Sequence, residues 1–412
     1  MKPLKLVKLD ATYLEQYKTL LKLTFPADDE FEQEWGKIFL QHEDLWTDAY
    51  GWVDGDDLVA AYSSYTGEMQ IRKKSYPVKF IENVATLPSY RNQRLISTAL
   101  KGEMAKYQGG EVSFLCLGPF KHAYYRNLGF ESGMDSQRLE MDFDFLSSHL
   151  GSESGYTTQM GYLHTHPEFQ EAMKLVQQWY WAHSRYNEIK DPKIFTDTIF
   201  KLTKSLIAVA YDENGTPKGY FVYQEKDRKI SVHAFRYINL AAFYVLKKYI
   251  LSYRDQVAKI QFNSLPPDFP IDLLVENMWL TGKKFVLSQN PWQMLRILNV
   301  QKLLPTIMEQ TPEEEIFLQV YDRQIDGNNG IFRLSPSGEA ARMDDIAGKV
   351  SVSIAISDLV TLITGRKSAR ELYLTGKLAI PDGVVVENSE NIPPIILSLE
   401  KMFPKQVTYC GG

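Results

Sequence analysis

The chain reads as an α/β (α+β) protein with mixed sheets, in which one strand, turn, helix, strand order occurs twice ahead of a third, smaller unit. Three observations predict this. Short β-rich runs flank one helical period over residues 80–117, the same order returns coarsely over residues 206–262, and 412 residues suffice for two to three domains that each bury a core. The expected division is 1–150, 151–290 and 291–412.

In chain order, Leu14, Tyr17, Leu20 and Leu21 recur at helical spacing, and residues 49–68 read as a hairpin about Asp54-Gly55-Asp56-Asp57. Between them lies an acidic stretch interleaved with aromatics, including Asp28, Asp29, Phe31 and Trp35. It reads either as one wall of a pocket for a cationic amine, with carboxylates attracting the ammonium and a ring facing it, or as a solvated acidic helix start with buried aromatics.

Residues 80–87 carry Phe, Ile, Val and Thr and are bounded by Pro88, which has no amide for a ladder, so a strand ends there. Helical spacing begins near Asn92 with Leu95, Ile96, Ala99, Leu100, Met104 and Tyr107, and Gln108-Gly109-Gly110 stops it. The apolar run 112–117 is a buried strand. So short a return implies a right-handed crossover between parallel neighbours. Arg91-Asn92-Gln93-Arg94-Leu95-Ile96 therefore sits at a helix start, where unpaired amides and the positive end of the dipole make a seat for a diphosphate.

The second half repeats the order: strands flank the turn Asp212-Glu213-Asn214-Gly215, then come a strand over 230–237, a helix over 241–253 and a strand over 257–262. Its counterpart of the basic turn, Ile238-Asn239-Leu240-Ala241-Ala242, has neither glycine nor clustered arginine. This half is expected to hold no coenzyme and to shape an acceptor pocket instead. A third unit, begun around residues 291–300, reads as hairpin strands, a strand and a helix.

Composition removes other classes. Net charge is −5 from 46 basic and 51 acidic residues, which argues against a nucleic-acid groove. Cys116 and Cys410 are too few for a disulfide framework, and Cys116 falls in a core strand without a basic partner. The N-terminus lacks an apolar signal core, and no apolar run approaches the roughly 18 residues of a membrane span. A cytoplasmic protein without membrane or nucleic-acid partners is expected. His164 and His166 without a third ligand make a poor metal site, and neither a P-loop nor a G-x-S-x-G motif occurs.

The basic turn resembles the GNAT acetyltransferase signature Arg/Gln-x-x-Gly-x-Gly/Ala, with Arg94 and Ile96 standing at the two small positions. Tyr125-Arg126-Asn127-Leu128-Gly129-Phe130 resembles that family's Tyr-x-x-x-Gly-Phe segment. The third unit resembles a sterol-carrier domain. Together, tandem GNAT acetyltransferase folds followed by a sterol-carrier-protein-like domain resemble the Eis family of bacterial N-acetyltransferases over essentially the whole chain. The resemblance implies acetyl transfer from acetyl-CoA, without a metal, to a primary amine such as an aminoglycoside, a polyamine or a lysine side chain, in a homo-oligomer, commonly a homohexamer. Carried over residue by residue, it implies pantetheine and oxyanion contacts from Val84, Ala85 and Thr86. It further implies coenzyme contacts from Arg91, Asn92, Gln93, Arg94, Leu95, Ile96, Ser97, Phe120 and Lys121, and an ordinary phenol at Tyr125 protonating the departing thiolate, with Tyr124 second in line. Proton removal from the amine falls to a C-terminal carboxylate, here Gly412, or to Glu82, beside substrate contacts from Asp28, Asp29 and Trp35. Two non-enzymatic readings stand beside this one: a sensor that binds amines or acyl-CoA without turnover, and a lipid carrier on an acetyltransferase scaffold.

Overall fold

The structure is a computed structural model describing residues 3–25, 48–151, 155–183, 188–189, 205–343, 351–381 and 392–409. Asp28, Asp29, Phe31, Trp35, Cys410 and Gly412 lie outside the described residues. The chain forms two compact units, one of residues 1–133 and 292–406, the other of residues 134–291 and 407–412.

The first unit is built on a sheet in the order Lys5–Lys8, Ala49–Asp54, Asp57–Ile71, Lys74–Thr86, Phe114–Leu117, Met294–Ile297, Glu131–Ser132. The long central hairpin turns at Arg72 and Lys73, whose φ values of +51° and +62° give the left-handed pair that a two-residue hairpin requires. Lys74–Thr86 and Phe114–Leu117 run parallel, joined by the Leu95–Tyr107 helix, as the crossover argument predicts. Leu95, Ile96, Ala99, Leu100 and Met104 bury one face of that helix among Val59, Ile81, Leu115 and Leu117.

One strand of this sheet comes from far along the chain. Met294–Ile297, expected to open the third unit, lies between Phe114–Leu117 and Glu131–Ser132 and pairs antiparallel with both. The third unit itself is a five-stranded sheet in the order Ala340–Met343, Gly330–Leu334, Ile316–Tyr321, Val352–Ala355, Leu378–Ala379, with its helices, and belongs to the same compact unit. Arg72 fastens the two: its guanidinium donates to the Ile363 (2.6 Å), Leu362 (3.2 Å) and Pro404 (2.8 Å) carbonyls and to Glu309 (2.7 Å). The first two carbonyls end the Ile356–Ile363 helix, where a cation meets the negative end of the dipole.

The second unit has a sheet in the order Phe285–Pro291, Asp135–Asp142, Lys259–Leu265, Lys229–Tyr237, Pro217–Lys226, Leu206–Tyr211, Thr157–Tyr162. Lys229–Tyr237 and Lys259–Leu265 are again parallel neighbours, joined by the Leu240–Leu251 helix. An aromatic core of Phe221, Phe235, Phe243, Phe262 and Phe269 fills the space under that helix. His166 lies in a turn where its Nδ1 meets the Tyr162 carbonyl at 2.9 Å. No helix among the described residues is long and apolar enough to cross a membrane.

Candidate active site

The parallel pair of the first unit stays in register for four residues, from Val78 opposite Phe114 to Ile81 opposite Leu117, and pairing then stops. Lys74–Thr86 continues through Glu82, Asn83, Val84, Ala85 and Thr86 with its other edge still held by the hairpin partner. Peptide groups on the side of Phe114–Leu117 are thus released from the ladder over a stretch long enough to hold another extended chain. The divergence is enforced by a bulge: Ala61 opposes Ala85 while Ser63 opposes Glu82, two steps on one strand against three on the other. Asn83 takes φ +56°, a conformation that asparagine tolerates better than most residues. Its carbonyl accepts from the buried Tyr17 hydroxyl at 3.4 Å and its amide nitrogen donates to Ser63 Oγ at 2.8 Å, which fixes the bulge. Sequence reasoning missed Asn83, Tyr17 and Ser63. The available signal was an asparagine inside a β-rich run.

Leu95–Tyr107 begins beside this opening. Its N-cap is Arg94, at φ +60° and ψ +18°, which makes no side-chain capping bond, and the first turn holds no acid. Arg94 therefore adopts a left-handed geometry of the kind glycine reaches most easily, and Asn92 does the same at +66°. The side chains of Arg91, Asn92, Gln93 and Arg94 are exposed, while Leu95 and Ile96 turn into the core, so Ile96 brings no bulk to the solvent side of the turn. Amides of an uncapped first turn with two guanidiniums beside them fit a diphosphate. Ser97 is partly buried and its hydroxyl donates to the Arg94 carbonyl at 2.9 Å. Phe120, 69% exposed, and Lys121 stand in the loop after Phe114–Leu117, on the rim.

Tyr125 lies on the short His122–Arg126 helix and is 1% exposed. It shares one apolar cluster with Ile81 and Leu117, the last paired residues, and with Leu95, Ile96 and Val84. Its ring packs edge-on against Phe120 (5.6 Å), Tyr124 (5.0 Å) and Phe130 (6.0 Å). Among the described residues its hydroxyl has no hydrogen-bond partner, whereas Tyr124 is engaged by Ser97. The phenol is not ordinary: burial, reinforced by Tyr124, pushes its pKa well above the usual range, so it stays protonated. Gly129 completes this element at φ +82°, and a β-carbon there would come within 2.9 Å of Arg296 Nε. That explains the glycine of the Tyr-x-x-x-Gly-Phe segment.

Glu82, the first residue past the paired stretch, is half-buried, and desolvation pushes its pKa up to about 7. A carboxyl so poised exchanges protons near neutrality. Released backbone at Val84–Thr86, a basic helix start and a protonated phenol lie about the end of the paired stretch, and Glu82, with its raised pKa, follows directly on that stretch. The opposite wall sought at Asp28, Asp29 and Trp35 is outside the described residues, as is Gly412.

Residues 5–133 match the acetyltransferase (GNAT) domain family, and residues 177–297 match a second acetyltransferase (GNAT) domain family. Residues 300–411 match the sterol carrier protein domain. The chain is thus an acyltransferase by class, made of two GNAT domains and a sterol carrier protein domain. Whole-chain likeness extends to solved structures: a probable N-acyltransferase of unknown function from Enterococcus faecalis V583 (18% identity, TM-score 0.81, 100% of this chain and 99% of that one) and a GCN5-related N-acetyltransferase from Anabaena variabilis (18%, 0.79, 99% of each). Eis1 from Mycobacterium abscessus superposes over the full length of both chains at 14% identity and TM-score 0.73, so the architecture is Eis-like. No curated protein matches the chain.

Proposed function

We propose that this protein transfers the acetyl group of acetyl-CoA to a primary amine by direct attack, with the chemistry confined to the first unit. The observation that carries the reading is the bulged divergence after Ile81–Leu117, with an uncapped basic helix start and the Tyr125 hydroxyl, unpartnered among the described residues, in the same cluster. Arg91 to Ser97 seat the diphosphate, Val84, Ala85 and Thr86 pair with the pantetheine arm, and Phe120 and Lys121 close the rim. A strand amide meets the oxyanion as it forms. Glu82 accepts the ammonium proton, with a Gly412 carboxylate as the alternative relay, and Asp28, Asp29 and Trp35 attract the cation. The neutral amine then forms the C–N bond, the C–S bond breaks, and Tyr125 gives its proton to the departing sulfur, while the second proton shed by the acylated nitrogen passes through solvent and restores Tyr125. The acceptor is an aminoglycoside, polyamine or lysine-like amine. We extend the proposal to a cytoplasmic homo-oligomer of up to six chains, with a catalytic domain near 1–150, a coenzyme-free second domain near 151–290 and a sterol-carrier-like domain near 291–412.

The test is thiol release from acetyl-CoA with a panel of polyamines, aminoglycosides and lysine peptides. Amine-dependent release that falls in Tyr125→Phe supports the reading. Coenzyme binding without release supports the sensor instead, and extracted lipid with no calorimetric heat from any CoA derivative supports the carrier.

A further inference from the structure

At the other end of the parallel strand pair, away from the divergence, the first unit has a cleft of about 360 Å³, open to solvent, between the acetyltransferase sheet and the Val300–Ile307 helix. Val112 and Leu303 give it an apolar floor, Ser75 and Ser113 add hydroxyls, and Lys74 and Lys302 stand over it. Among the described residues, none lining it is acidic. Lys74 Nζ donates to the Thr306 carbonyl and Lys302 Nζ to the Gly109 carbonyl, each at 2.6 Å. An ammonium has three donors, so two on each lysine are left over. Neither lysine meets a carboxylate among the described residues. Lys302 is held across Gly110, at φ +123°, where a β-carbon would lie 2.2 Å from its Nζ.

We propose that this cleft binds an organic anion, an apolar body with a phosphate or carboxylate head, seated on Val112 and Leu303 with its charge between Lys74 and Lys302. The volume lies in the usual range for small-molecule sites. Two exposed ammonium groups that meet no carboxylate among the described residues, beside an apolar floor, favour a ligand that carries both features, because a neutral ligand leaves the ammonium groups to water and a bare ion leaves the floor wet. This site is independent of the diphosphate seat, which uses Arg91 and Arg94.

Calorimetry on the full chain with phenyl phosphate, benzoate and neutral benzyl alcohol tests it. One site is expected for the anions, with benzyl alcohol at least tenfold weaker. The preferred anion identifies the head group, and either preference supports the site. The double variant Lys74→Gln/Lys302→Gln loses at least tenfold in affinity, and Ser75→Trp, which fills the cleft without removing a charge, abolishes binding. Arg91→Ala/Arg94→Ala leaves it unchanged. Equal affinity for all three probes, no anion binding at millimolar concentration, undiminished binding in Ser75→Trp, or loss only in the Arg91/Arg94 variant overturns the proposal.

Discussion

The two units contain the same device in two states. Each has a parallel strand pair held for four residues: Val78–Ile81 on Phe114–Leu117 in the first, Lys229–Val232 on Lys259–Phe262 in the second. Each pair diverges at an extra residue, Asn83 in one and His233 in the other, and a helix follows. They differ at the helix start. In the first, Arg94 takes a left-handed conformation and makes no capping bond. In the second, Asn239 is extended and its side chain accepts from the Ala242 amide at 3.0 Å. A donor already satisfied by its own cap is not offered to a ligand. The contrast teaches that the strands alone make an opening, and that the residue before the helix decides whether the first amides of that helix are capped or left open.

The comparison can be broken most forcefully at the phenol. Tyr125→Phe is expected to lower kcat by about 10²–10⁴, the usual span for a proton donor, with coenzyme affinity nearly unchanged. Equal turnover in a steady-state thiol assay removes Tyr125 from the chemistry. Glu82→Gln should flatten the pH profile of kcat/KM, which in the parent rises with pH through about 7 as the carboxyl loses its proton. The same change has a thermodynamic sign. The folded-state pKa lies above the unfolded value of 4.5, so the folded protein binds more protons between pH 4.5 and 7 and loses stability as pH rises across that window. Glu82→Gln is therefore expected to be more stable than the parent at pH 8, by ~1–3 kcal/mol, and nearly equal to it at pH 4. A urea melt at both pH values checks this.

Smaller effects sharpen the contrast between the helix starts. Arg91→Ala/Arg94→Ala should raise the KM for acetyl-CoA about tenfold and spare kcat, since the two charge-assisted contacts proposed to phosphate are removed and no reacting group is. Asn239→Ala should leave KM and kcat alone while costing about 1 kcal/mol in the stability of the second unit, read by thermal melting. A shift in coenzyme KM there would mean that the second helix start also meets the ligand.

Much of this site was legible in the sequence because its parts are local. The strand before Pro88, the helical period, the apolar run ending at Leu117 and the spacing from Tyr125 to Phe130 each lie within a few residues; the structure has all four, with the helix, expected from about Asn92, beginning at Leu95 because Asn92 and Arg94 take left-handed conformations. The side-chain cap that Asn239 gives the second helix start was not read from the sequence. The bulge at Asn83 was not legible, because it depends on register against Ala61 and Ser63, residues some twenty positions away. The raised pKa values of Glu82 and Tyr125 were invisible for a related reason: burial belongs to the folded surroundings and not to the residue type. Nothing in the sequence singled out Arg72. Only its reach to the Ile363 and Pro404 carbonyls makes it a fastener.

The placement of Met294–Ile297 also bears on synthesis. As the polypeptide leaves the ribosome, Phe114–Leu117 emerges with one neighbour available and its other edge bare, and it stays so while some 180 further residues are made. The first sheet is finished only after the second domain has been translated, so a nascent chain stalled near residue 290 carries an exposed strand edge open to mispairing.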